Sequence, residues 1–335
     1  MARIWSKNLL YSALRPYVDW CGRTSYRSLK VIGKERIPQG VPVIFAPNHC
    51  NTMMDSIVVL QYDRSATTFG ARADIFKNPK IARILRFLRI VPLARQRDGQ
   101  QAVSHNEDVF DEIIDCIGHD VPFCIFVEGT HRTKHSLMQP RKGIFRISTK
   151  GAAALGKPVY IVPVGIDYSD YFHYMAKCTV TFGEPIRIEE NADIPAMKEL
   201  LYKRMSELIT FFPDDENYDK AWAEYERTHV AKHHWWHFLL ALASLPVFAI
   251  TGVLCLPMWV TALILGSKTK DKAWLNTIRF GTKLGFLPIL TILWAVLGFI
   301  YLPWYIVLLG LPVLWYSHSI FYALLSFYRF VLCIK

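Results

Sequence analysis

In Val43-Ile44-Phe45-Ala46-Pro47-Asn48-His49-Cys50-Asn51-Thr52-Met53-Met54-Asp55, an apolar run (VIFA, 43–46) opens into a polar turn that carries one His and one Asp. The run has the length of a short buried strand. Residues 53–60 (MMDSIVVL) have the apolar spacing of a helix starting behind it. A strand feeding a helix is the repeating unit of an α/β protein, and its loops are where reactive side chains are displayed. A neutral imidazole there can accept a proton, and a carboxylate can hold it in one tautomer. The same spacing recurs at His105 and Asp111, but that pair sits in the charged pattern of a solvated helix (Glu107, Asp108, Glu112).

A second apolar run, residues 123–127, leads into Glu128-Gly129-Thr130-His131-Arg132. No acidic residue occurs from 129 to 165, whereas Arg132, Lys134, Arg141, Lys142, Arg146, Lys150 and Lys157 all fall in that interval. A basic, glycine-containing loop after a strand suits an anion. A solvated loop or a lipid-facing patch has the same composition.

Outward from these two stretches, strands are expected at 29–32, 66–70, 90–93, 159–164, 179–182 and 186–188. Helices are expected at 81–88, 103–117, 143–155 and 197–211. The alternation predicts an α/β fold, a sheet flanked by helices. Residues 214–232 read as a charged helix or linker.

The C-terminal part differs in kind. Residues 238–266 contain no Asp, Glu, Lys or Arg, and neither do residues 284–328. A membrane span needs about 20 apolar residues. Trp294, Trp304, Tyr305, Trp315 and Tyr316 are the aromatics expected near lipid–water interfaces. A C-terminal α-helical membrane region is therefore expected. The longer run is expected to form a hairpin turning near 301–305, where Pro303 breaks the helix. Lys268, Lys270, Lys272, Arg279 and Lys283 between the runs point to a cytoplasmic loop by the positive-inside rule. Both ends of 238–266 then lie on one side, so this stretch, with Pro246 and Pro257, is expected to be re-entrant or a shallow hairpin, the alternative being three full crossings with the basic loop outside. The formal charge is +11, and with such hydropathy the expected partner is a lipid membrane, with no nucleic acid. Seven cysteines (21, 50, 116, 124, 178, 255, 333) without a Cys-x-x-Cys pair argue against a disulfide framework or structural zinc and for a reducing compartment. Cys50, beside His49, reads as a small apolar filler. The N-terminal segment is interrupted by Arg3, Lys7 and Arg15 and lacks the apolar core of a signal peptide. An interfacial amphipathic helix and a core-packing helix are the two readings for it.

Together the motifs resemble the glycerolipid acyltransferase family of glycerol-3-phosphate and lysophosphatidate acyltransferases. Four blocks have counterparts in order: Asn48-His49 with Asp55; Phe69-Gly70-Ala71-Arg72 followed by Val91-Pro92-Leu93-Ala94-Arg95; Phe126-Val127-Glu128-Gly129-Thr130-His131-Arg132; and Val162-Pro163-Val164. The resemblance covers about residues 28–210. One departure is that five residues, Cys50 to Met54, separate His49 from Asp55, where most of the family has four. The longer spacing is similar to the fungal-type glycerol-3-phosphate/dihydroxyacetone-phosphate branch, as is His131-Arg132 after Glu-Gly-Thr.

The resemblance implies transfer of a fatty acyl group from an acyl thioester donor to a glycerol-phosphate acceptor, glycerol-3-phosphate or glycerone phosphate at sn-1. Lysophosphatidate at sn-2 is the alternative acceptor, and a non-catalytic lipid-binding membrane protein the alternative class. It implies His49 as general base with Asp55 orienting it, and Arg95, Arg132, Lys142 and Arg72 as seats for the acceptor phosphate, Arg72 being equally readable as a structural salt bridge. Glu128, Gly129 and Thr130 support the loop. No metal or cofactor is expected, acyl-CoA or acyl-carrier protein being a co-substrate. The expected organisation is an N-terminal helix (1–27), an acyltransferase domain (28–212) on the cytoplasmic face, a charged helix or linker (213–237) and a transmembrane region (238–335).

Other motifs fail on mechanics. Gly151 to Lys157 has P-loop spacing, but Pro158 replaces the magnesium-binding hydroxyl and the segment ends a helix instead of opening one. His233 and His237 are one helical turn apart without an evident third ligand. No Gly-x-Ser-x-Gly elbow occurs.

Overall fold

The computed structural model describes residues 3–63, 66–94, 106–229 and 234–333. Strands β1 (Ser28–Ile32), β2 (Val43–Pro47), β3 (Thr68–Arg72), β4 (Ile90–Leu93), β5 (Phe123–Cys124), β6 (Val159–Tyr168), β7 (Lys177–Phe182) and β8 (Ile186–Ile188) form one sheet. Its order is β1-β7-β6-β2-β5-β3-β4, with β8 also on β6. β2 is parallel to β5 and β6, while β7 and β8 are antiparallel to β6. β2 is buried at every position, as a central parallel strand covered on both faces must be.

The alternation of side chains along β2 defines the two faces. Ile44 and Ala46 enter a core with α4 (Asn106–Gly118), α5 (Gly143–Leu155) and α6 (Ile194–Ser206). Phe45 enters the opposite core with Cys21 of α1 (Leu9–Arg23) and Met54 and Val58 of α2 (Met53–Val59). That second core runs on without interruption into Met258, Phe280, Leu287 and Phe321 of the C-terminal helices. The hydrophobic region expected as a separate unit thus packs on the sheet's own helix layer. α1 serves the packing role in its second half, where Trp20 meets Trp315 at 4.9 Å. Its first half leaves Leu9, Leu10 and Leu14 exposed.

Several boundaries move for identifiable reasons. The strand expected at 123–127 pairs as a strand only over Phe123–Cys124. Beyond it, Ile125 and Val127 still donate to Phe45 and Pro47 (3.1 and 3.4 Å). α6 starts earlier than expected, because Asp193 caps it by accepting from Ala196 N and Pro195 occupies its first turn. β6 runs to Tyr168, four positions beyond its expected end at 164, because β7 pairs with it from Val164 to Tyr168. The charged segment after 213 contains α7 (Tyr218–His229), whose Trp222 stacks on His135 at 4.3 Å. The P-loop look-alike is the end of α5, closed by Gly156 at φ +61°, a left-handed cap that glycine adopts without strain. α3 (Pro79–Phe87) crosses between β3 and β4.

The C-terminal helices are α8 (Trp235–Leu254), α9 (Leu256–Ser267), α10 (Leu275–Tyr301) and α11 (Trp304–Val331). Three helices, Trp235–Leu254, Lys272–Tyr301 and Trp304–Val331, are long and apolar enough to cross a membrane. α10 and α11 form an antiparallel hairpin through Leu302 and Pro303, the expected turn. Trp294 Nε1 donates to Val307 O (3.0 Å) and Trp315 Nε1 to Thr291 (3.0 Å) across it. α8 packs along α11 and α9 along α10, so the chain bends sharply at Cys255. Phe248 before the bend and Trp259 after it both stack on Phe321 (4.9 and 5.5 Å). His237 meets Phe330 and Gly266 lies against Leu275, so both ends of this pair sit at the open end of the hairpin, beside the sheet domain.

Candidate active site

The site begins where β2 stops. Pro47 is its last residue, and Asn48 continues the pairing with a side chain. Its Oδ1 accepts from Ile166 N (2.7 Å) and its Nδ2 donates to Ile166 O (2.9 Å). This amide stands in for one more ladder step and fixes the angle at which the chain leaves the sheet. His49 follows, with its ring stacked on Phe126 (centroids 4.1 Å apart) and His131 edge-on to it at 5.6 Å.

His49 Nδ1 is 2.7 Å from Asp55 Oδ2, as the spacing predicts. The carboxylate lies in the first turn of α2 and is fully buried. Oδ2 also accepts from the amides of Cys50 (2.8 Å) and Asn51 (2.7 Å), while Oδ1 accepts from the Tyr168 hydroxyl (2.8 Å). Four donors compensate the cost of burying this group. The loop thus places two consecutive amides on one carboxylate oxygen. Nδ1 is committed to Asp55, and the ring, which carries Nε2 on its other side, has 19% of its side chain exposed. The loop closes at Thr52, whose φ of 47° is costly for a β-branched residue. Its hydroxyl is held by Thr277 Oγ1 on α10 at 2.7 Å.

The third block grips His49 through its backbone. Glu128 Oε1 accepts from His49 N (3.3 Å) and Oε2 from Met138 N (3.4 Å). Arg132 N donates to His49 O at 2.9 Å. Glu128 is buried, and burial pushes its carboxyl up to about 7. Gly129 turns the loop at φ +69°, and Thr130 is exposed. His131 Nε2 is 2.6 Å from Asp271 in the loop before α10, a second tie between the loops around His49 and the C-terminal region.

Of the expected phosphate seats, Arg132 is beside the dyad, but its guanidinium pairs with Asp214 and donates to Ser136 Oγ (2.7 Å). Its Nε is buried without a partner. Lys142 is exposed just ahead of α5. Arg72, exposed at the end of β3, pairs with Asp74, whose Oδ1 accepts from Nε at 3.0 Å, which is its salt-bridge reading. Arg95 and His105 lie outside the described residues. Cys50 is buried, and burial holds its thiol well above the ordinary range, which disposes of a thiolate nucleophile there. His237 Nδ1 accepts from His234 N (3.0 Å) in a cap of α8. Among the described residues no group of three or more His, Cys, Asp or Glu is placed to hold a metal. Tyr168, Asp271 and Thr277 escape sequence reasoning. Only the register that carries β6 past residue 164 brings Tyr168 to Asp55.

Among solved structures, the chain is similar to the 1-acyl-sn-glycerophosphate (LPA) acyltransferase PlsC from Thermotoga maritima. Identity is 18% and the TM-score 0.44, over 65% of this chain and 82% of that one. No curated protein matches the sequence. A profile of the family described as Acyltransferase matches residues 28–167, the segment that holds β1 to β5, all of β6 but its last residue, and the His49, Asp55 and Glu128 cluster.

Proposed function

We propose that the protein transfers a fatty acyl group from an acyl thioester to a hydroxyl of a glycerol-phosphate acceptor, with its α/β domain at the cytoplasmic face of a membrane that the C-terminal helices enter. The supporting observation is the His49–Asp55 pair, built as a unit inside the segment that matches the acyltransferase profile. An alcohol is a poor nucleophile at neutral pH. Nε2 of His49 takes its proton as the oxygen attacks the thioester carbonyl, and Asp55 stabilises the imidazolium. The proton then leaves with the thiolate as free thiol. Both substrates bind together, and no acyl-enzyme is required.

The acceptor read from the long His–Asp loop is glycerol-3-phosphate or glycerone phosphate. The ties from Thr52 and His131 to the C-terminal helices favour a second reading, lysophosphatidate drawn from the bilayer. Purified protein incubated with labelled acyl-CoA and each acceptor in turn separates them. His49→Ala should lower turnover at least about 10²-fold with unchanged membrane insertion. Near-normal turnover in that variant would overturn the mechanism.

A further inference from the structure

A cleft that neither His49 nor Asp55 lines collects positive charge at the open end of the hairpin. It lies between the loop after β6 and the facing sides of α10 and α11, and is lined by His173, Arg279, Leu325, Ser326 and Arg329 among others. No acidic residue lines it. Arg279 spends Nη1 on Phe172 O (2.6 Å) and Asn276 Oδ1 (2.9 Å), both neutral acceptors. Arg329, in the last turn of α11, has no ion pair among the described residues. Asp170, which pairs with the lining His173, is occupied by that residue's Nδ1 at 2.6 Å and by two backbone amides. Tyr174 and Tyr322, which also line the cleft, pack on His318 behind it, which is fully buried with both ring nitrogens unpartnered.

Two guanidiniums facing one cleft without an acid between them repel each other unless an anion joins them. The cleft's level selects the anion. The first turn of α8 lies beside the last turn of α11, through His237 against Phe327 and Phe330, and it exposes Trp235 and Trp236. Next along α8 come exposed Phe238, Leu239 and Leu240. Exposed tryptophans followed by an apolar helix face mark a lipid headgroup level. We infer that this cleft binds the phosphate of an anionic lipid headgroup, with Arg279 and Arg329 as its charge partners and Leu325 against the lipid's glycerol and first acyl carbons. The inference rests on the membrane part of the proposed function, not on acyl transfer.

The test uses the purified full chain in a neutral detergent, with thermal unfolding followed as phosphatidylglycerol is added. That lipid is neither acceptor nor product of the proposed reaction. Phosphatidylcholine and inorganic phosphate are the control arms. Wild-type protein should show a saturable rise in Tm with phosphatidylglycerol and none with either control. In Arg329→Gln the apparent affinity should fall about tenfold or more, the loss of one charge-assisted contact, while Lys268→Gln keeps the wild-type response. Arg329→Glu should abolish it, should the Gln variant unfold too readily to titrate. An equal response in wild type and Arg329→Gln, a response to inorganic phosphate alone, or no response would each overturn the site. Resistance of the protein to alkaline carbonate extraction reads membrane insertion separately, so failure of the two ideas can be told apart.

Discussion

A carboxylate surrounded by four donors cannot turn away from the one that matters, and at Asp55 each donor has a separable effect. Tyr168 touches Oδ1 alone. Tyr168→Phe leaves the His49 contact in place but strips a donor from a buried charge, and should lower kcat about tenfold. The fall should appear in kcat with KM little changed, a split that simple loosening of the core would not produce. Glu128 gives a pH signature. Its folded-state value of about 7 lies above the ordinary 4.5, so between those pH values the unfolded chain releases a proton that the folded one keeps. Stability from this group is therefore lost as pH rises across that window, by about 3 kcal/mol in all. Glu128→Gln should be less stable than wild type at pH 5 and close that gap by pH 8 in denaturant unfolding. His49, Asp55 and Glu128 are legible in the sequence because each stands within a few residues of the strand that aims it. Tyr168 is not, because its contact spans 113 positions and depends on how far β6 and β7 stay paired.

The unit of strand β2, its loop and helix α2 is where local pattern and tertiary demand agree, and it forms as its spacing predicts. Strand ends are less legible, because pairing with a neighbour decides them. β5 is cut to two paired residues and β6 is prolonged, and neither change leaves a trace in local hydropathy. The acid-free loop after Glu128 is visible in the sequence, but the acid that occupies it is not. Asp214 arrives from beyond α6 to pair with Arg132 and Lys134. That pairing turns the expected phosphate seat into a competition. Arg132→Ala should raise the acceptor KM about tenfold with the donor KM unchanged. Asp214→Asn, by freeing the guanidinium, should lower the acceptor KM. If the pair only braces the loop, both variants lose thermal stability and neither moves that KM selectively.

At the level of the whole chain, the apolar runs are plain from composition, whereas their junction with the sheet is not. Runs of uncharged residues say that lipid is near, but not that Phe280 and Leu287 share a core with β2. The bend at Cys255 brings both ends of the α8–α9 pair to one side of the hairpin. On the proposed topology, with Lys268, Lys270 and Lys272 on the cytoplasmic side, a cysteine at residue 302 in a cysteine-free background should react with an impermeant reagent from outside intact cells. One at residue 269 should not, and labelling there would mean that 238–266 crosses fully. The hooks from Thr52 to Thr277 and from His131 to Asp271 also impose an order in time. Synthesis finishes residues 28–167 while the partners of both hooks are still unmade. A nascent chain, or one cut before α10, carries His49 and Asp55 without the brace that keeps Thr52 at its strained angle. Under the proposed function, the loop of His49 and Asp55 acquires both hooks only after residue 277 is made, so a half-made chain should leave acyl thioester untouched.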